Sequence, residues 1–190
     1  MVLQNVKNKN DILLHACCGI CAGYPIEKLL AEGATPLAFF SNDNIDTEEE
    51  YKRRAEAFIK VCEHFCIDYI IDDYEPQIYL TVVRGLENEP ERGKRCNKCI
   101  ELRLEKSAKC AKELGIKRFT STLVVSPHKN FKMVTDIGNN LAMEYALEYI
   151  SIDFKKQDGF LKTNAIAKGL GLYRQNYCGC KFAKAHLKEV

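Results

Sequence analysis

No stretch of this chain approaches the roughly 18 consecutive apolar residues that cross a bilayer, so no membrane partner is expected. The opening run MVLQNVKNKND holds no apolar export core, and a cytoplasmic location is expected. There is no internal repeat and no low-complexity linker. That excludes repeat arrays and tethered modules, and it leaves residues 1–190 as a single domain. Apolar residues make up 46% of the chain, enough for an ordinary core that needs neither metal nor disulfides merely to fold.

Against these absences stands an excess of cysteine, with ten in 190 residues. A secreted disulfide framework does not fit a chain of this size without an export signal; in a reducing compartment, clustered cysteines bind metal or do redox chemistry. Cys62, Cys66 and Cys110 stand alone in helix-like segments and read as small buried hydrophobes. The other seven fall into three tight groups: Cys17-Cys18-x-x-Cys21, Cys96-x-x-Cys99 and Cys178-x-Cys180.

Charge is segregated along the chain. The segment from Asp43 to Glu91 is acidic, while Arg92–Arg118 and Lys155–Val190 are basic, and both basic segments carry a cysteine group. A positive surface beside the cysteines suits a polyanion such as RNA, although solvated helix faces give the same pattern.

Short apolar runs alternate with helical periodicity. Strands are predicted over 11–16, 35–40, 67–71, 118–125 and 148–152. Helices are expected after the first cysteines as far as Gly33, then over 47–65, 77–86, from Cys96 to Gly115, 131–145, 161–170 and 183–188. Such alternation predicts βαβ units and a parallel sheet. Cys17, Asn44, Ser126–Lys129 and Asp153 each follow a predicted strand. Strand carboxyl ends collect on one edge of an open sheet, so one shared crevice is expected.

His15-Ala16-Cys17-Cys18-Gly19-Ile20-Cys21 falls at a strand-to-helix turn, where a helix N-terminus favours thiolates. Gly19 permits the sharp turn that lets neighbouring thiols face one centre. Taken alone, Cys18-x-x-Cys21 fits a thioredoxin-like pair or half a zinc site. A radical-SAM pattern fails because Tyr24 stands where its last cysteine belongs. Cys96 and Cys99 open a helix and share a face, among Lys94, Arg95 and Lys98, which are expected to stabilise thiolates. Four thiolates from the two groups imply tetrahedral zinc or an iron–sulfur cluster, and spacing does not choose between them. Cys178-Gly179-Cys180 suits either an easily reduced small-ring disulfide or further metal ligands. His128 and Lys129 are candidates to supply protons or bind phosphate, Asp153 to act as acid or metal ligand, and His15 to contact cluster or substrate. Tyr173 and Arg174 are candidates to stack on or clamp an RNA base; His64 and His186 read as ordinary helix residues.

Together LLHACCGIC, RCNKCIELRL, SPHK, DFKK and LYRQNYCGC, in this order from about Asp11 to Phe182, resemble the QueH family of epoxyqueuosine reductases. The chain departs from the family pattern at Ile20, where proline is usual, and at Ser41-Asn42-Asp43-Asn44, where a proline-bearing turn is usual. The resemblance implies a Rossmann-like parallel sheet flanked by helices, related to the adenine-nucleotide α-hydrolases, with a helical C-terminal elaboration. It does not imply ATP use, because no Ser-Gly-Gly-x-Asp-Ser phosphate loop is present.

It further implies a 4Fe–4S cluster held by Cys17, Cys18, Cys96 and Cys99, a redox-active Cys178/Cys180 pair, and an additional iron that Cys21, Cys180 or an aspartate helps to hold. The implied reaction removes the epoxide oxygen of epoxyqueuosine at the tRNA wobble position. Epoxyqueuosine-bearing tRNA and an external electron donor are the expected partners, and a metal, His128 or Asp153 assists the departing alkoxide. The rival readings are a tRNA-thiolating iron–sulfur enzyme, a zinc-stabilised RNA-binding protein and a metal-free cysteine oxidoreductase.

Overall fold

The computed structural model describes residues 2–4 and 9–186, with side chains described over 9–183. Six strands form one sheet in the order β1-β4-β3-β2-β5-β6. They are β1 (Val2–Gln4), β2 (Ile12–Ala16), β3 (Pro36–Phe40), β4 (Asp68–Ile71), β5 (Arg118–Ser121) and β6 (Glu148–Tyr149). Strand β1 runs antiparallel to β4, and all the other pairings are parallel. The antiparallel edge strand was not expected from the sequence, because VLQ is too short to show a period. Strands β2 and β3 are buried at every position, as parallel strands covered on both faces must be. That is why they read as unbroken apolar runs.

The helices are α1 (Gly19–Ala31), α2 (Glu48–His64), α3 (Pro76–Val82), α4 (Lys94–Glu113), α5 (Phe131–Tyr145), α6 (Gly159–Gly169) and α7 (Lys181–His186). Ile12, Leu14, Ala38 and Phe40 pack with α1 and α2 residues such as Ile26, Phe58 and Val61. On the other face Leu13, Leu37, Phe39 and Phe119 pack with Leu104, Ala108, Val134 and Leu141 of α4 and α5. The two-residue period of the strands thus divides one sheet between two helical layers. Helix α6 lies against α1 as the C-terminal elaboration. The Thr47 side chain caps α2 by accepting from the Glu50 N–H at 3.2 Å, and Glu48, Glu49 and Glu50 fill its first turn, where the helix dipole favours anions.

Two expected strands, one helix and one cysteine differ, and the helix expected over 77–86 ends at Val82. The strand predicted over 118–125 ends at Ser121, and Thr122–Val125 form a 3-10 turn. Ser121 Oγ accepts from the Leu123 N–H at 3.1 Å, a local bond that competes with the ladder and bends the chain. The strand predicted over 148–152 keeps two residues, and the Ile150 carbonyl accepts from the Thr120 hydroxyl at 2.8 Å. Cys66, expected to be buried, is exposed and left-handed at φ 53°. Cys62 and Cys110 are buried as expected. His64 lies in the last turn of α2; the side chain of His186 falls outside the described residues.

From β2 the chain winds outward to β3 and β4, then crosses back to β5 and β6 on the other side. The winding direction reverses between β2 and β5. In sheets of this kind a ligand crevice opens at that reversal.

Candidate metal and redox centre

Strand β2 delivers Cys17 to this reversal point. Its N–H is accepted by the Thr122 hydroxyl at 3.1 Å, and that hydroxyl also reaches the Cys17 sulfur at 3.5 Å. Cys18 is the extended residue capping α1. At Gly19 an added Cβ would stand 2.4 Å from the Ala57 carbonyl carbon, so α1 starts against the backbone of α2 only with glycine there. The resulting turn places the sulfurs of Cys17, Cys18 and Cys21 all within 4.8 Å of one another. Hydrogen bonds from the Cys18 and Cys21 thiols hold Cys17 well below the ordinary thiol range despite burial, with Arg103 and Thr122 contributing. The same bonds push Cys18 and Cys21 up. Three convergent sulfurs are a ready-made soft donor set. Gln175 Nε2 donates to Cys18 Sγ at 2.9 Å from the C-terminal segment.

Cys96 and Cys99 lie in the first turn and a half of α4. The Arg92 N–H donates to Cys96 Sγ at 3.2 Å. Burial raises the Cys96 thiol, opposed by that bond and by Lys129. Burial pushes Cys99 up to about 12, opposed by Arg103. The third group packs beside this second one: Cys99, Cys178 and Cys180 share an apolar cluster with Tyr79 and Leu102. Cys178 accepts from Lys129 Nζ at 3.6 Å, and buried Cys180 accepts from the Ala183 N–H at 3.4 Å. Against burial, which lowers it, Cys178, Cys96 and Cys99 raise the Lys129 ammonium.

The C-terminal thiols are hung from α2 by side chains. Arg54 pairs with Glu50 at 2.7 Å, both buried, and its two terminal nitrogens donate to the carbonyls of Cys178 and Tyr177, each at 3.2 Å. The Tyr177 hydroxyl bonds Asp46 at 2.6 Å and the Tyr173 hydroxyl bonds Glu50 at 2.9 Å. Gly179 turns at φ 110°, and the Asp46 N–H donates to its carbonyl at 2.8 Å.

A cavity of about 450 Å³ opens over these groups, lined by Cys17, Cys21 and Cys178. Arg54, Arg92, Arg103, Lys129 and Arg174 also line it, against one acidic residue, Glu91. Asn44, Ser126 and His128 are on its wall, as their strand-end positions predicted, and Asp153 is not. The Asp153 carboxylate accepts from the Lys155 N–H at 3.1 Å and serves its own turn. His128 is exposed, and its Nδ1 lies 2.9 Å from Arg92 Nη2. Since arginine only donates, Nδ1 accepts and the proton is assigned to Nε2.

His15 is fully buried between the Ser121 hydroxyl at 2.9 Å and the Ser41 carbonyl at 3.3 Å. Burial, helped by Arg103, lowers it to about 3, so it is a neutral structural group rather than a substrate contact. Tyr173 is engaged with Glu50 and Arg53, whereas Arg174 lines the cavity.

The cations expected around Cys96 and Cys99 are only partly the ones in place. Lys98 pairs with Glu101 on the surface; Arg95 turns its guanidinium to the Glu87 carbonyl at 2.8 Å and to Phe182 yet still lowers the Cys96 thiol. Arg103 and Lys129 join it. Arg54, Arg103 and Gln175 are functional residues that spacing did not single out. Both arginines lie within the apolar stripes of their helices, which is the sign that could have marked them as buried.

The family model described as Epoxyqueuosine reductase QueH matches residues 12–186. Among curated relatives, Epoxyqueuosine reductase QueH of Streptococcus pyogenes serotype M1 is 39% identical over 179 residues, covering 91% of this chain and 70% of that protein. Its counterpart from Thermotoga maritima is 33% identical, covering 94% and 92%. Among solved structures, the U34-tRNA thiolase NcsA from Methanococcus maripaludis with its 4Fe–4S cluster superposes with a TM-score of 0.54 at 17% identity, over 93% of this chain and 62% of that one. NMN synthetase from Francisella tularensis gives 0.51 at 13% identity, over 90% and 68%. These two share the parallel sheet with flanking helices, and the likeness is one of fold.

Proposed function

The chain belongs to the epoxyqueuosine reductase QueH family, and on that premise we propose that it is the oxidoreductase that converts epoxyqueuosine in the tRNA wobble position to queuosine. The observation that carries the reading is a single basic cavity walled by Cys17, Cys21 and Cys178. A surface of that charge suits an RNA substrate, and thiols on its wall can act on a nucleotide that enters it.

The residues fit an iron–sulfur cluster by the chemistry of their donors. The set is all sulfur, with no carboxylate grouped among the Cys17, Cys18 and Cys21 sulfurs, and such soft sets select iron–sulfur or zinc. Cys17, Cys18, Cys96 and Cys99 are the proposed ligands, with Arg103 and Lys129 to balance the negative charge. When bound, the cluster supplies one-electron transfer from an external donor. Cys21, grouped with Cys17 and Cys18, and Cys180, packed beside Cys99, remain the thiols proposed to help hold an additional iron, with an aspartate as the alternative.

Breaking both carbon–oxygen bonds of the epoxide and forming the carbon–carbon double bond takes two electrons and two protons, and it releases one water. Oxidation of the Cys178 and Cys180 thiols to a disulfide supplies that number of each, and the external donor restores the thiols. Cys178 lines the cavity and Cys180 is buried in the same apolar cluster, which supports a dithiol–disulfide couple at the cavity wall. The two thiol protons reach the departing oxygen by relay, for which His128 and Lys129 line the cavity, whereas Asp153 is not among the lining residues.

The test is anaerobic incubation with epoxyqueuosine-bearing tRNA and a strong reductant, followed by nucleoside mass spectrometry. Loss of one oxygen is expected, and an unchanged nucleoside would end the reading. Cys17→Ala should lose both cluster and turnover.

A second reading has its own observation. Three sulfurs within 4.8 Å also suit one tetrahedral zinc, whose sulfur ligands sit at about 2.3 Å from the metal. A brown protein absorbing broadly at roughly 400 nm marks iron–sulfur, and a colourless one marks zinc.

A further inference from the structure

Arg103 is 5% exposed, in the middle of α4. Its guanidinium donates, among the described residues, to the neutral Asn42 side-chain carbonyl, while its Nε has no partner. Among the described residues no carboxylate lies within ion-pair distance of it. Arginine does not shed its proton to escape burial, and a buried charge with only a neutral partner costs several kcal/mol. A protein that keeps such a charge holds an anion against it. Of the other buried arginines, Arg54 has its carboxylate in Glu50 and Arg95 donates to the Glu87 and Glu89 carbonyls; Arg103 has neither arrangement and instead lines the cavity.

Arg103 shares its cavity wall with the thiols of Cys17, Cys21 and Cys178. It also acts electrostatically on both Cys17 and Cys99, which belong to different cysteine groups on different elements. Asn42 fixes one end of the guanidinium and is itself held by donating to the Ala16 carbonyl at 3.0 Å, so the fork is oriented before any ligand arrives.

We infer that Arg103 is the buried counter-cation of the thiolate-bound cluster, its free Nε–H available to the sulfur cage and its charge setting the reduction potential. The inference rests on the cluster proposed above. A fixed positive charge favours the more negative, reduced state, so it raises the potential. Arg103 thereby eases electron entry and tightens retention.

The test is redox titration of the anaerobically reconstituted protein, followed by its visible and paramagnetic spectra, for wild type, Arg103→Gln and Arg103→Lys. Arg103→Gln is expected to disfavour one-electron reduction about tenfold, a shift of about 59 mV to more negative potential. It should also lose iron faster on gel filtration. Arg103→Lys keeps the charge without the fork and is expected to move less than half as far. If Arg103→Gln does not fold, Arg103→Met fills a similar volume without a polar head, and the same shift is expected. A neutral variant with the wild-type potential overturns the inference, as does a lysine variant displaced as far as glutamine. A wild type that takes up no cluster overturns the cluster reading itself, and the inference with it.

Discussion

The two halves of the thiol constellation are placed by different physics. Cys17, Cys18 and Cys21 are set by main chain: a fully buried strand, a sharp turn and a helix start, with Gly19 against the backbone of α2. Cys178 and Cys180 are set chiefly by side chains, suspended from α2 through Glu50 and Arg54 and from the preceding loop through Asp46 and Tyr177, beside one main-chain bond from Asp46 to Gly179. A site fixed by main chain tolerates most substitutions around it and fails when the chain cannot approach. A site fixed by side chains fails one hydrogen bond at a time.

The largest effect is expected at Arg54. Arg54→Ala removes one partner of a buried ion pair and leaves Glu50 uncompensated, which costs about 3–5 kcal/mol; urea unfolding should show the loss, and the Cys178 segment should become alkylation-sensitive first. Gly19→Ala strikes the other half. With the new Cβ against Ala57 backbone, a loss of about 1–3 kcal/mol is expected, together with loss of metal binding by the first three cysteines. Equal loss of metal from Arg54→Ala would show that the two halves are not separable.

Gly179→Ala puts a side chain at φ 110° and 2.9 Å from Arg54. About 1–3 kcal/mol of local strain is expected, read as a raised KM and slowed turnover with iron content unchanged. Tyr177→Phe removes one hydrogen bond to Asp46 and should cost about 1 kcal/mol, measurable as a lowered melting temperature. Cys66→Ser, exposed and remote from both halves, should stay within about 0.5 kcal/mol of wild type with full iron content.

The same contrast explains what the sequence disclosed. Main-chain features announce themselves: the buried runs of β2 and β3, the glycine after Cys18, and the strand ends that bring Cys17, Asn44 and Ser126 to one crevice were all legible. Side-chain suspension was not. Helix α2 opens with three acid–base pairs at the same spacing, Glu48–Lys52, Glu49–Arg53 and Glu50–Arg54. Two are solvated, and the third is buried and holds the C-terminal thiols. Spacing cannot distinguish them; membership of the stripe that carries Tyr51, Ala55 and Phe58 can.

The overlong strand at 118–125 fails for a related reason. TLVV is apolar enough for a strand, and a single serine hydroxyl bends it to the site. Asp153 shows the limit of the strand-end rule, because leaving a strand on the correct edge does not turn a carboxylate toward the crevice.

The bond from Cys17 N–H to the Thr122 hydroxyl spans 105 positions, and the clamp from Arg54 to Cys178 spans 124. On a ribosome, the first cysteines emerge long before either partner has been made. An emerging chain therefore exposes a cysteine-rich segment before the partners that order it exist. Only when Thr122 and Gln175 have docked do Cys17 and Cys18 gain the hydrogen bonds that hold them in place.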